Sequence, residues 1–148
     1  MTEIDPQFMR QIIMDHYEYP RNHELTKDKK YKFVHMDSDS CIDDITVEAD
    51  IEDGVIKDVR FDGIACTIST ASTSIMTELV KGKSIAEAKE IMDNYFAMVD
   101  QRGYDENLLE EAIAFKNVGR QANRIGCATI GWKALRQMIE ESEETSNE

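Results

Sequence analysis

The first readable pattern along the chain is helical. Asp5 followed by Pro6 reads as an N-cap and first helical residue. Phe8, Ile12 and Ile13 then form an apolar stripe with Met9 and His16 beside it. Pro20, in "YPRN" (19–22), ends that helix because proline disfavours helical backbone in the residue before it. After "HELTKDKK" (23–30) the period changes to two. Tyr31 and Phe33 lead a first strand, and Ile45, Val47, Ala49 and Ile51 alternate with polar residues in a second. "EDG" (52–54) predicts a hairpin turn into a third strand, with Val55, Val59 and Phe61 on one side. The three strands are expected to form an antiparallel meander.

The rest of the chain reads as helix. Residues 66–83, "CTISTASTSIMTELVKGK", place Ile68, Ser72, Ile75, Met76 and Leu79 at helical spacing, with Gly82 as the terminating residue. Ser84 and Glu87 make a capping box opening a helix through about Met98. Residues 104–115 predict a short amphipathic helix and 116–126, "KNVGRQANRIG", a loop. The last helix is expected over 127–141, with Ile130, Leu135, Met138 and Ile139 facing the core and Trp132 packed among them. "SEETSNE" (142–148) is expected to be an acidic disordered tail. The fold expected is therefore one α+β domain over 1–141, a small three-stranded antiparallel sheet packed against about four to five helices.

Composition narrows the function. Of 148 residues, 41% are hydrophobic and 32% charged, an ordinary balance for a chain that buries a core in water. Thirty acidic residues against 17 basic give a net charge of −13, and the basic residues are scattered, which argues against nucleic-acid binding. No apolar run reaches the roughly 20 residues that span a bilayer. "MTEIDPQFMR" lacks the basic start and apolar run of a signal peptide, so the expected location is the cytoplasm.

Three cysteines, Cys41, Cys66 and Cys127, cannot all pair, which in a cytoplasmic setting points to metal, catalysis or burial. All three fall at expected element boundaries. Cys41 precedes the second strand, while Cys66 and Cys127 open helices, where exposed N–H groups and the positive end of the helix dipole favour thiolate. Asp43 shares a side with Cys41 if that segment is extended. Together the four make a Cys₃Asp set compatible with zinc or with the irons of a cluster. The gaps between the cysteines contain no local C-x-x-C knuckle, and solvation at a strand end explains an aspartate equally well. His16, His23 and His35 neighbour no cysteine and are expected on the surface or on helix faces.

The words "MDHYEYPRN", "ACTISTASTSIM" and "IGCATIGWKAL" resemble the NifU N-terminal, or IscU-like, family of iron–sulfur cluster assembly proteins, and its SufU branch in particular. The resemblance spans nearly the whole chain apart from the tail and implies that family's α+β sandwich. It matches the family's C-G-D motif to Cys41 and Asp43, its second cysteine to Cys66 and its third to Cys127, implying all four as metal ligands. The glycine of C-G-D is Ile42 here, which removes the cheap positive φ that glycine offers. Gly126 stands where the IscU branch has histidine, and "QANRIG" where that branch has the chaperone-recognition word L-P-P-V-K. An added segment around 98–118 and Arg124 as a supporting residue fit the SufU branch.

The function so implied is iron–sulfur cluster assembly, as a zinc-dependent acceptor of persulfide sulfur from a pyridoxal-phosphate cysteine desulfurase. The protein would be a sulfurtransferase relay rather than a stand-alone catalyst, passing sulfur to a downstream cluster-assembly scaffold. The alternative is a scaffold on which a 2Fe-2S cluster is built and released. Cys41 is expected to be the sulfur acceptor, because its polar loop "DSDSCIDD" leaves it freer to move than cysteines fixed in helices.

Overall fold

In the computed structural model, residues 5–37 and 43–146 are described. The element order among them is α1 (Pro6–Glu18), β1 (Lys32–Asp37), β2 (Asp44–Glu52), β3 (Val55–Ile64), α2 (Thr67–Val80), α3 (Ile85–Val99), three short 3₁₀ segments and α4 (Ala122–Ser146). The strands pair antiparallel in the order β1-β2-β3, the expected meander. Asp53 and Gly54 both take positive φ (54° and 75°), as a tight hairpin matching strand twist requires. No helix among the described residues is long and apolar enough to cross a membrane.

The inner face of the sheet carries Val34, Ile45, Val47, Ala49, Val59 and Phe61, all buried. Tyr31 and Phe33 do not contribute to it. Phe33 is 70% exposed, and the Tyr31 hydroxyl donates to Asp58 at 2.6 Å on the other face. In β3 the buried set includes Ile56, and Val55 is only half-buried, a change of parity with a local cause. The register passes from Asp50 opposite Asp58 to Ile51 opposite Ile56, so Lys57 is an extra residue and the alternation flips across it.

Helix α4 lies across β1 and β2, α2 lies against β3, and α2 is also covered by α1 and α4. That central position explains its composition. Ser69, Ala71, Ser72, Thr73, Ser74 and Thr77 are all buried, and small side chains let neighbouring backbones come close. Ser72 is the hub. Its Oγ accepts from Trp132 Nε1 at 3.0 Å and lies 2.6 Å from the Ala128 carbonyl oxygen and 3.1 Å from the Tyr95 hydroxyl. Tyr95 stacks on Trp132 at 3.9 Å, and its hydroxyl donates to the same Ala128 carbonyl at 2.7 Å. Burial pushes the Tyr95 phenol well above its usual range, the Ser72 contact acting in the opposite sense. One polar cluster thus ties α2, α3 and α4 together beside residue 127.

Two helical expectations are corrected. Residues 104–115 form 3₁₀ segments at Glu106–Leu108 and Glu110–Phe115, not one amphipathic α-helix. Leu109, Ala112 and Phe115 are buried at a spacing of three, the period at which 3₁₀ side chains eclipse. Residues 122–126 belong to α4 rather than to a loop, with Gly126 inside the helix. At its other end α4 runs on to Ser146, through residues that the apolar stripe does not reach. The capping box at Ser84 and Glu87 and the Asp5–Pro6 start of α1 form as expected.

Candidate metal centre

Cys66 is the N-cap of α2, and its sulfur accepts from the Ser69 backbone N–H at 3.5 Å. A thiolate there faces the positive end of a helix, a position that favours charge. Gly63 fixes the approach of the strand that precedes it. Its φ is +136°, and a Cβ in its place would stand 2.1 Å from the Asp44 carbonyl oxygen. Only glycine lets β3 come this near to the start of β2, where Asp43 sits.

Asp43 turns toward α2 rather than toward water and is 2% exposed. Its Oδ1 accepts from the Cys66 backbone N–H at 2.9 Å, and its Oδ2 accepts from the Ser69 hydroxyl in a short contact. Ser69 Oγ also lies 3.4 Å from Cys66 Sγ. Solvation at a strand end does not describe this carboxylate.

Cys127 is 5% exposed and comes from the other side, on α4. It is the sixth residue of that helix, so the expectation that it opens one is corrected. Its Sγ lies 4.0 Å from the Asn123 carbonyl oxygen one turn back. What fixes Cys127 is the helix and the Ser72–Tyr95–Ala128 cluster immediately beyond it, not the dipole at a terminus. The donor atoms of Asp43, Cys66 and Cys127 all lie within 4.8 Å of one another.

The donor set fits a tetrahedral ion. Zinc with Zn–S bonds of about 2.3 Å and a Zn–O bond of about 2.0 Å spaces its ligands roughly 3.5–3.8 Å apart, so these three, within 4.8 Å, need draw in by about 1.3 Å at most. Cys41, expected as the fourth ligand and the sulfur acceptor, lies outside the described residues, as does Ile42. Arg124 stands exposed in the first turn of α4 and lines, with Arg10, Met9, Ile68 and Val118, a groove of about 440 Å³.

The histidines divide. His35 and His23 pair at the surface with Asp44 and Asp62. His16, expected on the surface or on a helix face, lies on the buried face of α1 and is 1% exposed. Its Nδ1 lies 2.8 Å from Ser74 Oγ and its Nε2 3.2 Å from Glu111. Ser74 Oγ also accepts from the Arg21 backbone N–H at 2.9 Å, which ties "YPRN" to α2. The signal was present: His16 follows Met9 and Ile12 on one helix face. Ser69 lies within the word "ACTISTASTSIM", but residue type and spacing alone do not single it out from the other serines of α2.

The profile of the NifU-like N terminal domain matches residues 8–147. The zinc-dependent sulfurtransferase SufU of Bacillus subtilis (strain 168) is 36% identical over 135 residues, covering 90% of this chain and 90% of that protein. The iron–sulfur cluster assembly scaffold protein IscU of Streptococcus pyogenes serotype M1 is 34% identical over 132 residues, covering 88% and 82%. A crystal structure of a SUF-system protein from Fervidobacterium islandicum AW-1, assigned there as an iron–sulfur cluster assembly scaffold, superposes with a TM-score of 0.77 at 33% identity. It covers 85% of this chain and 92% of that one. With that family model matched over residues 8–147, almost its full length, the chain belongs to the NifU-like N-terminal domain family.

Proposed function

We propose that this protein works in iron–sulfur cluster assembly as a zinc-dependent acceptor of persulfide sulfur, taken from a cysteine desulfurase in the cytoplasm. The observation that carries this reading is the convergence of Asp43 just before β2, Cys66 at the start of α2 and Cys127 within α4 to within 4.8 Å. The SufU relative at 36% identity supports zinc and sulfur transfer as the chemistry of such a site.

Bound zinc would supply a non-redox cation that keeps its cysteine ligands deprotonated. Asp43, Cys66 and Cys127 would hold it, with Cys41 as fourth ligand. Three thiolates and a carboxylate against Zn²⁺ leave a charge of about −2, which calls for donors around the ligands. The Cys66 N–H on Asp43 and the Ser69 N–H on Cys66 are two of them. Arg124, in the first turn of α4, adds positive charge on the groove side.

Sulfur enters at Cys41. Its thiolate attacks the terminal sulfur of the desulfurase cysteine persulfide. The donor's S–S bond breaks, a new S–S bond forms on Cys41, and the donor cysteine leaves as thiolate. Cys66 and Cys127, anchored by a helix N-terminus and by the helix interior, stay in place and hold the site while Cys41 exchanges. The sulfur then passes to a downstream scaffold.

The test is mass spectrometry of the zinc-loaded protein after incubation with a cysteine desulfurase and cysteine. A mass increase of roughly 32 Da on the peptide containing Cys41 is expected. Persulfide on Cys127 or Cys66 and never on Cys41 would overturn the assignment. The similarity to IscU gives a second reading, a scaffold for a 2Fe-2S cluster. Visible absorption bands after anaerobic reconstitution with iron and sulfide, with transfer to an apo-ferredoxin, would support it. Tight zinc with no such bands supports sulfur transfer.

A further inference from the structure

The contacts around Asp43 give Ser69 a specific part. Asp43 is buried beside two cysteines, and among the described residues Oδ1 is engaged by the Cys66 backbone N–H and Oδ2 by the Ser69 hydroxyl. Ser69 itself is fully buried in the first turn of α2. Its backbone N–H points at Cys66 Sγ (3.5 Å), and its Oγ lies 3.4 Å from the same sulfur. One residue therefore touches both ligands on one side of the cluster. A serine hydroxyl has a single proton, and the short contact assigns it to Asp43. The sulfur is left to the backbone N–H, a donor that no side-chain replacement removes.

We propose that Ser69 is a positioning residue for the metal centre. It orients Asp43 so that each carboxylate oxygen spends one lone pair on a hydrogen bond and keeps another for the ion. Without the hydroxyl, Oδ2 would be buried with no donor among the described residues, and the carboxylate would rotate toward water and away from the two sulfurs. Outer partners of this kind typically change metal affinity by about 10–100-fold when removed. The inference rests on reading Asp43, Cys66 and Cys127 as metal ligands, and it adds a residue that supplies no ligand atom.

The test is zinc affinity measured by competition with a chromophoric chelator, using the full chain. Ser69→Ala is expected to weaken binding by about 10–100-fold. Ser69→Thr keeps the hydroxyl and Ser69→Val has the same shape without it, so this pair isolates the hydroxyl even if the site resents added volume. Threonine is expected to bind zinc at least about tenfold more tightly than valine. In an Asp43→Ala background the effect of Ser69→Ala should shrink to less than about threefold, because the two changes act through one group. Cobalt in place of zinc adds an independent readout, since loss of the oxygen ligand alters the visible d–d bands of a tetrahedral site. Equal affinity of the threonine and valine proteins would overturn the role of Ser69. So would an undiminished effect of Ser69→Ala in the Asp43→Ala background. A wild-type protein that binds neither zinc nor cobalt would instead remove the metal centre itself, which separates the two failures.

Discussion

Gly131→Ala sets two effects against each other at the contact between α2 and α4, the helices that carry Cys66 and Cys127. In an isolated helix the change is favourable, since glycine in a helix interior costs about 1 kcal/mol relative to alanine. Here the added Cβ would stand 2.4 Å from Thr73 Oγ1, 2.8 Å from its Cγ2 and 3.0 Å from its Cβ. All three are well inside the roughly 3.5–4.0 Å optimum for non-bonded atoms. Thr73 is fully buried and branched at Cβ, so it has little freedom to turn aside. Overpacking of this kind costs about 1–3 kcal/mol, and clashes with three atoms on a neighbouring helix place it near the upper end. The net expectation is a loss of about 2 kcal/mol, or a Tm lower by about 4–8 °C for a chain of this size. Urea and thermal unfolding of the metal-free protein followed by circular dichroism would measure it. Thr73→Ala removes two of the three clashing atoms, together with a hydroxyl that finds no hydrogen-bond partner among the described residues. The double variant should therefore recover at least about 1 kcal/mol relative to additivity. A Gly131→Ala protein more stable than wild type would refute the reasoning, because helix propensity would then have outweighed a contact that does not bind.

Gly63→Ala should be worse for the site than for the fold. Its left-handed φ and the 2.1 Å approach to the Asp44 carbonyl force β2 and β3 apart next to Asp43, so zinc affinity should fall along with Tm. Ser72→Ala leaves the buried Trp132 Nε1–H without its acceptor and should cost about 1–3 kcal/mol in urea unfolding; an unchanged midpoint would count against the cluster as an anchor. The acid limb of stability should respond to Tyr31. Burial alone would raise the Asp58 carboxyl, but hydrogen bonds from Tyr31, Arg60 and Lys81 outweigh it and lower it from 3.8 to about 2. A carboxylate depressed in the folded state contributes stability above its unfolded pKa and loses it as pH falls through the folded one, here between about 4 and 2. Tyr31→Phe removes one of those donors, so its stability difference from wild type should be full at neutral pH and shrink toward pH 2. A difference that is constant with pH would contradict this.

The sequence was informative where one local rule acted alone. The Asp5–Pro6 start, the Ser84–Glu87 capping box, the Asp53–Gly54 turn and the alternation of β2 all formed because nothing nearby overrides them. It misled where tertiary packing set the outcome. Phe33 lies in the expected first strand, but the pattern there does not say which face is covered: Val34 is buried and Phe33 is 70% exposed. Lys57 carries no mark of the bulge that flips β3. The 104–115 segment has an amphipathic composition, but its spacing of three suits 3₁₀ turns laid against a core formed by other elements. For the site, residue types and the family words were enough to bring Asp43, Cys66 and Cys127 together. Cys127 is held within α4 and not at its start, because Gly126, a residue that commonly ends helices, lies inside this one. Ser69 and the buried His16 owe their partners to contacts across 26 and 58 residues, and no local pattern encodes those.

The central claim is that Cys41, Asp43, Cys66 and Cys127 form one zinc centre. It is tested most directly by metal analysis of the purified wild-type protein beside Cys41→Ser, Asp43→Ala, Cys66→Ser and Cys127→Ser, each checked for folding by circular dichroism. About one zinc per chain is expected in the wild type and a sharp loss in every folded cysteine variant, with Cys66→Ser and Cys127→Ser affected at least as strongly as Asp43→Ala. Full zinc retention in a folded Cys66→Ser protein would contradict it.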